Sequence, residues 1–186
     1  ADREIFPISE YDWITIVSHL RRQAYLVPGL RITIIDAREY TGKVDDTECY
    51  YVRELGLEVP SIAFYFDGGV KSLIGFQNRH QKVLHKGVFY TNKEADNVLV
   101  EIALQYVDDM TSSITAYANN IYNPEGGTHV TGFKTALTRT INNYVKKSNT
   151  KTYESFTGED VLEGLTVVIS VKLREIQFEG QTKAKL

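Results

Sequence analysis

Cysteine is nearly missing from this chain: Cys49 is the only one in 186 residues. A single thiol cannot close a disulfide within the chain, so a disulfide-stapled scaffold is excluded and a reducing, cytoplasmic setting is the expectation. Long apolar runs are missing as well. None approaches the roughly 20 residues that a bilayer-spanning helix needs, and the amino end lacks a basic-then-apolar signal pattern, so no membrane partner is expected. Nor is there an excess of charge of one sign: 21 Lys and Arg stand against 24 Asp and Glu, a formal net charge of -3. Attraction to a polyanion must then come from a local patch rather than from the whole molecule. The four histidines, His19, His80, His85 and His129, include no pair at the i, i+4 spacing that places two imidazoles on one helix face. No metal site is expected from them. A Gly-x-Ser-x-Gly elbow for a serine nucleophile is also absent.

What is present can bury a core, with 42% hydrophobic residues, enough for one or two compact units. The chain opens Ala1-Asp-Arg-Glu4 without an initiator Met, as an excised or processed piece would. Ser9 and Asp12 have the spacing of a helix start, and Ile14, Val17, Leu20 and Ala24 recur at helical intervals until Pro28-Gly29. Leu30 to Asp36 and Ser61 to Phe66 read as strands, with a polar loop or hairpin from Ala37 to Glu48. Asp67-Gly68-Gly69 turns into a short helix carrying Val70, Leu73 and Ile74 on one face.

Strict alternation from Asn97 to Val107 is the clearest strand signal. Val98, Val100, Ile102, Leu104 and Tyr106 share one side, and Leu99, Glu101, Ala103 and Gln105 the other. Ser113 to Ala118 is expected to return as its antiparallel partner in a hairpin or meander, ended by Asn119-Asn120. A helix follows from about His129 to Lys147, with Val130, Phe133, Leu137, Ile141 and Tyr144 on one stripe. Thr157-Gly-Glu-Asp160 opens a helical turn, Gly164 closes it, and Leu165 to Leu173 is a strand rich in Val and Ile. Strands in a run with helices packed between them favour an α+β architecture over a doubly wound parallel sheet.

Three stretches carry possible chemistry. Asp108-Asp109 contains two carboxylates, but neighbours on a strand point to opposite faces, so a turn explains them better than Mg²⁺ binding. Lys134, Arg139, Lys146, Lys147 and Lys151, with Tyr144 and Tyr153 among them, form either a wet helix face or a nucleic-acid patch. The closing Phe178-Glu-Gly-Gln-Thr-Lys183 is either a solvated basic end or a loop that reaches a phosphate. In the second reading Gly180 lets the backbone turn, Gln181 offers an amide and Lys183 carries a mobile positive charge.

Three segments taken together resemble one family. They are Asn119-Asn-Ile-Tyr-Asn-Pro-Glu-Gly-Gly-Thr-His129 leading into Gly132-Phe-Lys-Thr-Ala-Leu-Thr-Arg139, Thr157-Gly-Glu-Asp-Val-Leu-Glu-Gly-Leu165 with its Ile-Ser-Val-Lys strand, and Phe178-Glu-Gly-Gln-Thr-Lys183. Their order and spacing are similar to the ATPase subunit of bacterial type IIA topoisomerases, DNA gyrase B or its counterpart in topoisomerase IV. Weaker similarity runs upstream through Arg21-Arg-Gln-Ala-Tyr-Leu26 and Asp67-Gly-Gly-Val70.

The resemblance implies two parts. Residues 1–66 would be the end of a two-layer ATP-binding α/β sandwich, and residues 67–186 a transducer domain like domain 2 of ribosomal protein S5, lacking its C-terminal helix. The chain departs from the family between Ala37 and Pro60, where the family's connection is shorter. By the same resemblance Gln181 and Lys183 contact the terminal phosphate of ATP, with Lys183 also a catalytic group. The glutamate base, the asparagine for Mg²⁺, the Asp-x-Gly turn and the glycine-rich lid have no matching positions here. The implied whole is an ATP-dependent topoisomerase that closes as a homodimer, works with a DNA-cleaving A subunit and passes double-stranded DNA, while this piece alone is expected to be inactive. A non-enzymatic S5-like nucleic-acid-binding module, or a chaperone middle domain, is the competing reading.

Overall fold

The computed structural model describes residues 4–5, 10–42, 56–148 and 155–186. The chain divides into two compact units, Ala1–Gly69 and Val70–Leu186.

In the first unit, helix α1 (Trp13–Leu26) is followed by strands β1 (Arg31–Ile35) and β2 (Ser61–Tyr65). The strands pair antiparallel, with Arg31 opposite Tyr65. Ser9, expected at the helix start, lies outside the described residues. Asp12 is itself the cap, its carboxylate accepting from the Thr15 N–H at 2.6 Å, which satisfies one of the free donors of the first turn. Ile14 was expected on the inner stripe and instead faces solvent at 73% exposure; Ala24, Tyr25 and Leu26 are the buried residues. Tyr25 stacks on Phe66 with ring centroids 3.6 Å apart. Of the loop or hairpin expected over 37–48, residues 37–42 are irregular and 43–48 lie outside the described residues.

The second unit contains α2 (Val70–Gln77), β3 (Phe89–Ala95), β4 (Val98–Tyr106), β5 (Ser113–Ala118), β6 (Ile121–Tyr122), α3 (Thr128–Lys147), α4 (Gly158–Leu162) and β7 (Leu165–Lys172). Its five strands lie in the order β3-β4-β7-β5-β6. This corrects the expected β4–β5 hairpin: β7 lies between them, antiparallel to β4 and parallel to β5. The reason is burial. Leu165 through Val171 are buried without a break, so both faces of β7 must be covered and the strand takes the centre, whereas a half-buried strand tolerates the edge. Parallel pairing of β5 with β7 then requires a crossover, which β6, α3 and α4 supply.

Leu165, Val167 and Ile169 form one core cluster with Leu104 and Phe133, with Val130, Leu137 and Leu162 packed against it. The α2 side is more polar. There Asn78 donates to Gln105 Oε1 at 2.9 Å and accepts from the Thr166 hydroxyl at 2.8 Å, inside the buried layer. Buried polar groups matched in this way specify register as well as stability. Tyr144, expected on the inner stripe of α3, is 74% exposed.

Strand β3 was not expected. It is an edge strand joined to β4 by Asp96-Asn97, both in the left-handed region at φ 51° and 61°, the conformation that two-residue hairpin loops require. Asn119-Asn120 repeats the device, at φ 47° and 63°, between β5 and β6. Helix α4 has a complete capping box: the Thr157 side chain accepts from the Asp160 N–H and the Asp160 carboxylate accepts from the Thr157 N–H at 2.7 Å. Gly164, at φ 67°, closes it where any side chain would strike the Val107 carbonyl oxygen. Among the described residues no helix is long and apolar enough to cross a membrane.

Candidate functional site

The last nine residues form a tongue anchored at its base. The Glu179 N–H donates to the Lys185 carbonyl at 3.0 Å, and the Lys185 ammonium lies 2.8 Å from the Glu179 carboxylate. That hydrogen bond to Glu179 raises the Lys185 pKa. Both side chains are largely in water, so the ion pair guides the loop more than it stabilises it. Above the base the Lys183 N–H donates to the Gly180 carbonyl at 3.1 Å, closing a turn. Gln181, Thr182 and Lys183 are the exposed tip.

The turn is not made as the sequence suggested. Gly180 has ordinary backbone geometry, and a side chain there would meet nothing within 4 Å. It is Lys183 that takes the left-handed conformation, at φ 55°.

The tongue is seated on the loop between β6 and α3. Asn123 Nδ2 donates to the Lys183 carbonyl at 2.8 Å, and the Glu125 N–H donates to the Ala184 carbonyl at 3.1 Å. Leu186 then exchanges two bonds with the loop, accepting from the Thr128 N–H and donating to the Gly126 carbonyl, each at 3.1 Å. Thr128 begins α3, so Leu186 satisfies one of the free amide donors of that helix end. Gly127 makes the approach possible. At φ 140° it lies so close that a Cβ would fall on the Leu186 carbonyl oxygen and 2.7 Å from its nitrogen. Two of the family-like segments, Asn119–His129 and Phe178–Lys183, are therefore spatial partners although Asn123 and Lys183 are 60 positions apart in the chain.

At the tip Gln181 and Lys183 stand one residue apart. The Lys183 ammonium lies 5.8 Å from the centre of the Phe178 ring and has no carboxylate partner among the described residues. A lysine lying over an aromatic face, with two exposed turn residues beside it, is placed where an anion can reach it.

Other sequence candidates do not join this site. Asp108 pairs with Lys82 at 2.6 Å, tying the turn after β4 to the segment between α2 and β3, and Asp109 accepts from the Thr111 N–H at 2.9 Å within that turn. Among the described residues no three His, Cys, Asp or Glu side chains converge. Of the basic run, Lys134 and Arg139 rim a shallow depression of about 820 Å³ with Thr135, Thr138, Asn142 and Glu159; Lys146 and Lys147 are exposed in the last turn of α3. Lys151 and Tyr153 lie outside the described residues. His129 faces an apolar groove of about 470 Å³ shared with Phe133, Ile169 and Leu186. Burial lowers its pKa, and neither ring nitrogen has a partner among the described residues.

Asn123 and Gly127 were given no role of their own from sequence, where they figured only within the Asn119–His129 segment that carries the family resemblance. Adjacent glycines directly before a long helix were the available signal, since such a pair permits close approach of another backbone.

Comparison with known proteins agrees with the resemblance these segments carry. The DNA gyrase B family profile matches residues 69–186, more than half of the chain. The DNA gyrase B protein of Clostridium acetobutylicum is 43% identical over 188 residues, and that of Halalkalibacterium halodurans 45% over 190. Each alignment covers all of this chain but only 26% and 27% of those relatives, so the chain spans about a quarter of their length. Among solved structures, the 43K ATPase domain of Thermus thermophilus gyrase B, in complex with an aminocoumarin, aligns with a TM-score of 0.78 at 33% identity. That alignment covers all of this chain and 45% of the other. The chain belongs to the DNA gyrase B family.

Proposed function

We propose that this chain joins the nucleotide-binding part and the transducer of the ATPase subunit of a type II DNA topoisomerase. Residues 1–66 close the nucleotide-binding part and residues 67–186 form the transducer; the division into compact units after Gly69 supports that reading. The full-length subunit couples ATP binding and hydrolysis to closure of a homodimer and to passage of one DNA duplex through another, with a DNA-cleaving A subunit as partner. Family membership sets aside the non-enzymatic S5-like and chaperone readings.

The observation that carries the proposal is the anchored tongue with an ammonium at its tip that has no carboxylate partner among the described residues. Lys183 contacts the terminal phosphate of ATP and the Gln181 amide donates a hydrogen bond beside it. The charge-assisted contact exists only with the triphosphate, so it favours the closed state before hydrolysis and is lost when phosphate leaves. During transfer the same ammonium offsets the negative charge gathering on the phosphoryl oxygens, which makes Lys183 a catalytic group. No carboxylate or histidine cluster among the described residues fits Mg²⁺. By the family resemblance the metal ligands and the water-activating base belong to the rest of the nucleotide-binding part, and this piece alone is expected to be inactive.

Lys134 and Arg139 on α3 supply sequence-independent phosphate contacts to the passing duplex. Duplex binding by the full-length subunit should weaken as salt rises, and salt-insensitive binding would exclude that role.

The direct test is Lys183→Ala in the full-length subunit. Hydrogen bonds to charged groups contribute about 1.5–3 kcal/mol, so DNA-stimulated ATP turnover should fall about 10- to 100-fold, and strand passage with it. Turnover equal to the parent's would refute the phosphate contact.

A further inference from the structure

One side chain of the transducer body reaches the tip of the tongue. Asn123, just after β6, is only 2% exposed. Its own backbone is fixed twice, the N–H donating to the Ala116 carbonyl of β5 at 2.9 Å and the carbonyl accepting from the Gly126 N–H at 3.0 Å. From that anchored position Nδ2 donates to the Lys183 carbonyl at 2.8 Å. Its Oδ1 has no partner among the described residues, so the hydrogen bonding of this side chain is directed at Lys183 alone.

Lys183 needs such a hold. Its φ of 55° belongs to a region that residues other than glycine rarely adopt, and such a conformation persists only where the surroundings over-determine it. The bond to Gly180 is internal to the tongue and moves with it. Among the described residues, the bond from Asn123 is the one that holds the Lys183 carbonyl from outside the tongue.

We propose that Asn123 is a positioning residue: by fixing the Lys183 carbonyl it sets the direction in which the lysine side chain leaves the tip, and so aims the ammonium at the terminal phosphate. The inference rests on the phosphate-contact reading of Lys183. Asn123 touches no substrate; it acts through the backbone of its neighbour.

A double-mutant cycle in the full-length subunit tests this, using Asn123→Ala, Lys183→Ala and the pair, with affinities measured for a non-hydrolysable ATP analogue and for ADP. Losing one neutral hydrogen bond should weaken the analogue about fivefold. ADP affinity should stay at the parent value, and Asn123→Ala should add nothing once Lys183 is alanine. Asn123→Asp keeps the shape and removes the donor; it should show the same selective loss, and it carries the cycle if the alanine variant does not fold. Equal weakening of ADP and the analogue, effects that multiply in the pair, or parent-like affinity in either Asn123 variant would overturn the inference while a loss in Lys183→Ala leaves the phosphate contact standing. A silent Lys183→Ala would overturn that reading first, and this inference with it.

Discussion

Replacing Gly127 by alanine tests the seating of the tongue more sharply than any change at its tip. The new methyl would clash with the Leu186 carbonyl oxygen, at a φ of 140° that L-residues rarely adopt. The segment at Leu186 must then leave the loop, which breaks the Thr128-to-Leu186 and Leu186-to-Gly126 hydrogen bonds. Each such bond contributes about 0.5–1.5 kcal/mol, and a strained backbone residue costs about 1–3 kcal/mol. The seating should therefore weaken by about 2–6 kcal/mol. Amide hydrogen exchange on the full-length subunit reads this directly: a loss of about 2 kcal/mol corresponds to roughly 30-fold faster exchange at Thr128 and Leu186. Gly180→Ala is the matched control. A Cβ at that position meets nothing and the backbone is unstrained, so exchange should match the parent within about 0.5 kcal/mol. Unchanged protection in Gly127→Ala, or equal disruption by both substitutions, would refute the close approach on which the site is built.

Two further outcomes follow from the core and the groove. Ile169→Ala, at a residue 1% exposed in the central strand, should destabilise the fold by about 2–5 kcal/mol in denaturant unfolding, and a loss below about 1 kcal/mol would contradict the two-sided burial of β7. His129, whose pKa burial holds below the ordinary 6.5, stabilises the fold fully above that value. Below it the unfolded chain takes up the proton first, so stability should fall as pH drops from about 6.5 toward the lower folded value, and His129→Phe should remove that slope from unfolding measured across about pH 5–8.

How much of this was readable from sequence depends on whether the signal was local. Strand β4 alternates, α3 keeps a helical stripe through Leu137, and Thr157 with Asp160 spells its own cap, so these elements need no distant partner to be recognised. Strand β3 escaped because an edge strand facing water carries little apolar alternation: Asn92, Lys93 and Glu94 follow one another. The partner of β5 was misread because pairing was inferred from chain neighbours, while the strand that separates β4 from β5 begins only at Leu165. Gln181 and Lys183 were found through resemblance, not through spacing. Asn123 and Gly127 escaped because their purpose is legible only once Lys183 and Leu186 lie against them.

The middle strand of the five is also the last of them to be made. While a ribosome is extending the chain, β4 and β5 emerge well before β7, each with a row of backbone donors and acceptors awaiting a neighbour that has not been translated. Such delayed, non-local closure is slow, and unpaired edges invite other chains. Production of this polypeptide should therefore be most vulnerable to aggregation in the interval before Leu165–Lys172 clears the exit tunnel.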